Sequence, residues 1–286
     1  MKKNNWISFL LIVCCLGVLV GYQALDRLRT DTKPPVITLE ETPLELSALE
    51  PRSALLQGVF AKDDSDGDVT ASLVVESVRL TDENGTVTVT YAAFDKAGNV
   101  SKIQRQVRYT DYTRPRFSLN QALLFTRSNP NLLDVISAQD MLDGEISHRI
   151  RATALETLNA DSNGTYNVLF QVTNSLGDKM ELVLPVEIYS PGLFEAQMTL
   201  TDYLVYLKAG DTFNARNYLN SFTQGRNEFS LNRSVPDALD LTVSGNVNTG
   251  VPGIYVVDYQ INYSPNPGSN SQVYTAYSKL IVIVEG

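Results

Sequence analysis

Cysteine and histidine are almost missing from this 286-residue chain: Cys14 and Cys15 stand side by side, and His148 is alone. Zinc centres draw on several Cys and His ligands, and Ser-His or Cys-His catalysis needs a base placed against its nucleophile. This inventory supplies neither without strain. Positive charge is short as well. Lys and Arg number 23 against 32 Asp and Glu, a formal charge of −9, and the pI is near 4.7. A nucleic-acid ligand needs a basic face that releases counterions from phosphate, so no nucleic-acid partner is expected. Beyond Leu25 the chain has no cysteine and no convincing long amphipathic helix. An exported protein of this size without a disulfide suits a bacterial surface rather than a compartment with routine oxidative folding.

What is present begins with an uncharged run from Trp6 to Leu25 behind the basic start Met1-Lys2-Lys3-Asn4-Asn5. Its length approaches the ~20 residues that cross a bilayer as a helix, and the lysines favour a cytoplasmic N-terminus. The expectation is a cytoplasmic stub over 1–5, a transmembrane signal anchor over 6–25 and a linker over 26–33. The C-terminal ectodomain is then extracellular, in a single-pass cell-membrane protein. A cleaved signal is the rival, but Val20-Gly21-Tyr22-Gln23-Ala24 offers no clean small-residue cleavage pattern. Lipidation at Cys14 or Cys15 lacks the small residue expected before the thiol.

The rest repeats itself. Thr32-Lys33-Pro34 recurs as Thr113-Arg114-Pro115, and Asp66-Gly67-Asp68-Val69-Thr70 as Asp143-Gly144-Glu145-Ile146-Ser147. Asn84-Gly85-Thr86 recurs as Asn163-Gly164-Thr165, and the Asp95–Asn99 hairpin as Asn174–Asp178. A diverged third copy follows Pro191-Gly192. Val87, Val89, Tyr91 and Ala93 line up with Tyr166, Val168, Phe170 and Val172, and with Tyr255, Val257, Tyr259 and Ile261. Each set alternates with mostly polar residues, the period of a strand with one buried face. Asn131–Gln139 and Phe213–Leu219 read as short helices or irregular crossings. In the third copy the hairpin gives way to a longer loop over Ser264–Ser271.

These landmarks resemble the bacterial immunoglobulin-like repeats first described in a pesticidal crystal protein, akin to hyalin-type repeats. The first copy matches through Pro34-Pro35, Asp66–Thr70, Gly85-Thr86, Asp95–Asn99 and Arg105-Gln106-Val107. The second keeps Asp143-Gly144 and Gly164-Thr165-Tyr166. The third keeps Lys208–Phe213 and Gly253-Ile254-Tyr255. The resemblance implies β-sandwiches used as spacers or binding modules, with no shared catalytic residues. The expected fold is all-β: three tandem Ig-like antiparallel sandwiches after one N-terminal transmembrane helix, over 34–111, 112–190 and 191–286.

Candidate chemistry is sparse. Asp63-Asp64-Ser65-Asp66-Gly67-Asp68 supplies oxygen ligands for a hard cation such as calcium, but the EF-hand order is not met, and a turn capped by Asp side chains is preferred. His148 has no evident partner. Glu40-Glu41 and the pair Asp237 and Asp240 carry no catalytic weight in so acidic a chain. Tyr203, Tyr206, Tyr263, Tyr274 and Tyr277 are candidates for recognition of glycan or protein, with core or edge packing preferred. No catalytic residue, metal ligand or cofactor is assigned, and an enzyme is not expected. The function read here is binding, adhesion or spacing. The expected partner is a cell-envelope protein or glycan, besides the membrane through 6–25. The alternatives are a secreted binding protein after signal cleavage and a non-catalytic subunit of an envelope export or polysaccharide assembly.

Overall fold

The structure is a computed structural model that describes residues 3–29, 31–126, 131–154, 163–190, 195–232, 234–265 and 272–286. In its N-terminal helix, Lys3–Arg29, the side chains described are those of Trp6 and residues 9–21. Among the described residues, no helix is long and apolar enough to cross a membrane. This corrects the expected transmembrane anchor over 6–25 and, with it, the cytoplasmic stub over 1–5 and the single-pass placement.

The remainder is all-β, in three sandwich-like units built to one plan. Each has a 3-stranded and a 4-stranded sheet among the described residues. In the first unit Val59–Asp63 lies between Val36–Leu39 and Gly67–Asp68. The facing sheet runs Leu44–Leu46, Val100–Tyr109, Thr86–Phe94, Val74–Leu80. Its edge strand Leu44–Leu46 pairs parallel, while its other pairings are antiparallel. Ile136–Asp140 and Gly164–Thr173 occupy the corresponding places in the second unit, and Leu219–Gln224 and Gly253–Tyr263 in the third.

The alternation read from the repeats sets the cores. Val87, Val89, Tyr91 and Ala93 are fully enclosed, as are Val168, Phe170, Val257, Tyr259 and Ile261. The first position drifts outward: Tyr166 and Tyr255 are half-buried. The two expected crossings shorten to 3-10 turns, Leu132–Asp134 and Ala215–Tyr218, and each leads into a strand. Tyr91 donates its hydroxyl to the Leu55 carbonyl at 2.7 Å, and Tyr259 donates to Ala215 at 2.8 Å. Both bonds tie a long central strand to the 3-10 turn crossing its sandwich. Phe170 holds the equivalent place without a hydroxyl. The loop residues 266–271 and Pro191-Gly192 lie outside the described residues.

The chain divides into two compact units, Met1–Tyr112 and Thr113–Gly286. Inside the second, two sandwiches share a wall. Ile281 and Ile283 of the last strand, Tyr274–Glu285, pack into the core of Phe117, Phe170 and Leu184. Leu280, Val282 and Val284 of the same strand pack into the core of Phe222, Tyr259 and Ile261. A continuous apolar run is the signature of a strand buried on both faces, and here each face serves a different sandwich.

Replacing Tyr91 with Phe leaves the Leu55 carbonyl without its buried donor, which costs about 1–3 kcal/mol. Urea unfolding of the full chain should show that loss in the transition of the first unit. An unchanged transition would mean that water reaches Leu55 in place of the hydroxyl.

Candidate functional site

The shared wall brings polar side chains together as well as apolar ones. Lys279 lies on the last strand, and its side chain is 13% exposed. Its ammonium reaches Glu187 of the second sandwich at 2.6 Å and Asp258 of the third at 3.1 Å. Burial opposes the Lys279 charge, but the two carboxylates more than offset this and raise its pKa above the ordinary lysine value. Tyr277 donates its hydroxyl to Asp258 at 2.6 Å. Burial, then that bond, raises its phenol pKa too. Elsewhere in the junction the Tyr206 hydroxyl accepts from the Phe117 amide at 3.0 Å, and burial pushes its phenol up to about 12. Arg116 stacks 4.8 Å from the centre of the Tyr206 ring while its guanidinium holds Glu285 at 2.7 Å.

Beside this junction runs a groove of about 510 Å³, within the size range of small-ligand sites. The second sandwich contributes Asn120, Gln121 and Tyr189, and the third contributes Gln197, Tyr203 and Tyr277. Amides that both donate and accept thus face phenol rings across one cleft, a chemistry suited to hydroxyl-rich ligands with apolar ring faces.

The tyrosines singled out in the sequence divide between packing and lining. Tyr263 is core, edge-on to Phe222 and Phe229 at 5.8 and 5.4 Å. Tyr274 packs against the same core from its margin. Tyr206 and Tyr203 sit in the junction, and Tyr203 touches the cores of both sandwiches. Tyr203 and Tyr277 also line the groove. The long loop beside Tyr263 and Tyr274 has its residues 266–271 outside the described set.

His148 lies in a second groove of about 600 Å³ with Arg149, Arg151, Gln171 and Lys179. Two of its cations are matched locally: Arg149 meets Asp143 at 2.6 Å, and Lys179 meets Glu181. Burial opposes the Asp143 charge, yet hydrogen bonds from Ser175 and the Arg149 guanidinium hold its carboxyl below the ordinary range. Asp237 and Asp240 share a shallow hollow with Asn262 and Ser264, while Glu40 donates its amide to the Gly58 carbonyl.

The acidic run Asp63–Asp68 disperses. Asp64 pairs with Lys33 at the surface at 3.2 Å. Asp66 accepts from the Lys96 amide at 2.8 Å, and Asp68 accepts from the Thr70 amide at 2.9 Å. Gly67, at φ +78°, provides the left-handed turn that separates them, as Gly144 does at φ +70° in the second copy. Asp63 alone turns inward. The sequence reading missed Lys279, Glu187 and Asp258. The available signal was the lone lysine before the apolar run Leu280–Val284.

No protein-family model matches the chain. It is 27% identical over 169 residues to the pesticidal crystal protein Cry22Aa of Bacillus thuringiensis, covering 53% of this chain and 23% of that protein. It is 29% identical over 144 residues to an uncharacterized 81.3 kDa protein of Acholeplasma phage L2, covering 49% of this chain and 18% of that one. The matches thus span about a fifth of each relative's length. Among solved structures, Drosophila N-cadherin EC1-4 aligns over 90% of this chain and 76% of its own, at 14% identity and a TM-score of 0.23. A Clostridium perfringens ZmpB structure, CBM51-2 in complex with GlcNAc with INT domains, aligns over 57% of this chain and 30% of its own, at 18% identity and a TM-score of 0.23.

Removing the buried member of a half-buried ion pair leaves its partners to partial solvation. Lys279→Met should cost about 1–3 kcal/mol in the Thr113–Gly286 unit, read by chemical unfolding. Adding Glu187→Gln and Asp258→Asn should recover most of that loss. A single variant that unfolds like the parent chain would show that the ion pair does not support the junction.

Proposed function

We propose that this chain is a non-catalytic binding protein whose ligand is a polysaccharide of the cell envelope, held in the groove between the second and third sandwiches. The observation that carries this reading is the composition of that groove: amides and phenols supplied from both sides of a junction with a common core. A cleft whose walls share a core is pre-organised, so little conformational freedom is lost when a ligand enters. Gln121 and Gln197 are exposed on opposite walls, where they can exchange hydrogen bonds with hydroxyl groups.

A spacer role is the second reading, favoured by the same shared core. A strand enclosed by two sandwiches resists hinging, which suits a segment that holds other parts of an assembly at fixed separation.

Sedimentation of the full chain with purified peptidoglycan and with envelope polysaccharide separates the two. Binding by the parent chain, weakened at least tenfold in Gln121→Ala/Gln197→Ala with unchanged thermal stability, is the expected result. No retention by either polymer would contradict the binding role and leave the spacer role.

A further inference from the structure

We propose that the first sandwich binds one calcium ion through Asp31, Asp63 and Asp95, a site distinct from the Asp64–Asp68 turn. The three carboxylates offer oxygens that all lie within 4.8 Å of one another. Oxygens ligating one calcium at 2.3–2.6 Å can be that far apart across the ion, and three carboxylates suit a hard cation.

Two further observations separate this cluster from an ordinary acidic surface. Asp63 is only 3% exposed, and one of its oxygens, Oδ2, is enclosed with no hydrogen-bond partner. Its other oxygen, Oδ1, accepts from the Ser65 and Asp66 amides at 2.8 and 2.9 Å, which fixes the carboxylate and aims Oδ2 into the cluster. Asp31 Oδ2 is enclosed and unpartnered in the same way. Asp95 is 8% exposed and is oriented by Asn99, whose backbone amide and side-chain amide donate to its two oxygens at 2.8 and 2.7 Å. Buried charge of one sign is costly unless a cation balances it. The neighbouring lysines do not: Lys33 pairs with Asp64, and Lys96 pairs with Asp66.

The second copy shows how the same frame is balanced from within. Asp140 stands where Asp63 does and accepts from the Leu142 and Asp143 amides, both at 2.9 Å. Asn174 replaces Asp95 and donates to Asp140 at 3.0 Å. Asp178 replaces Asn99, and Arg114, in place of Lys33, meets its carboxylate at 2.8 Å. One charge fewer and one internal guanidinium satisfy the second copy. The first copy keeps three carboxylates without such a cation.

The location gives the ion a role. Asp31 lies on the segment entering the first sandwich, Asp63 ends a strand of its 3-stranded sheet, and Asp95 follows a strand of its 4-stranded sheet. A bound ion ties the entering segment to both sheets at once. The site belongs to the Met1–Tyr112 unit, so it stands independently of the groove.

Isothermal titration of the full chain with calcium chloride, after EDTA treatment and desalting, tests the assignment. One ion per chain, with a raised melting temperature, is expected. Asp64→Asn should bind as the parent does, whereas Asp31→Asn, altered outside any strand, should lose at least tenfold in affinity. Asp31→Asn/Lys33→Arg/Asp95→Asn/Asn99→Asp leaves the two carboxylates and one guanidinium of the second copy and should bind no calcium while melting in EDTA no lower than the parent. Absence of binding by the parent at about 10 mM calcium, or parent-like affinity in Asp31→Asn, would overturn the site.

Discussion

The last strand, Tyr274–Glu285, is the member on which the second unit depends, because neither of its faces meets water along Leu280–Val284. Alternate side chains enter two different cores, so the strand cannot leave one sandwich without opening the other. Burying an aliphatic side chain contributes about 1.5–3 kcal/mol, and five consecutive ones make this wall expensive to separate. The Lys279 ion pair and the bond from Phe117 to Tyr206 add direction to that apolar contact. They fix which surfaces of the two sandwiches meet, and the groove beside them inherits that geometry.

A repeated frame also shows how one backbone supports different electrostatics. The turn around Asp63 and the turn around Asp140 make the same backbone bonds, and Asp66 and Asp143 each accept from the amide after the hairpin's first residue. Around that frame a few side chains decide whether charge is balanced internally. With Arg114, Asn174 and Asp178 it is; with Lys33, Asp95 and Asn99 it is left to an ion. A similar choice separates Tyr91 and Tyr259, which bond to the turn crossing their sandwich, from Phe170, which only packs.

Much of the sandwich architecture was legible because strand alternation is local. The positions of Val89, Val168 and Val257 follow from counting by two beyond one glycine. The wall between sandwiches was not foreseen, although the run Leu280–Val284 carried the signal, since periodicity cannot say which core each face meets. The membrane anchor failed although the length, the lack of charge over 6–25 and the basic start all favoured it, since among the described residues no helix is long and apolar enough to cross a membrane. The acidic run was read as a turn capped by its own side chains, and Asp63 and Asp68 do accept from backbone amides there. Adjacent aspartates on one turn point apart, and the residues that converge on Asp63 come from positions 31 and 95. Such convergence depends on tertiary pairing, which spacing along the chain does not record.

The central claim is that the second and third sandwiches stand or fall together through one strand. Hydrogen exchange read by mass spectrometry on Ile283→Ala tests it most directly, since that side chain belongs to the second sandwich's core while its backbone belongs to the third. Equal acceleration of exchange in Leu182–Ile188 and in Val257–Ile261 is the predicted result. Acceleration confined to one sandwich, with the other exchanging as in the parent chain, would contradict it.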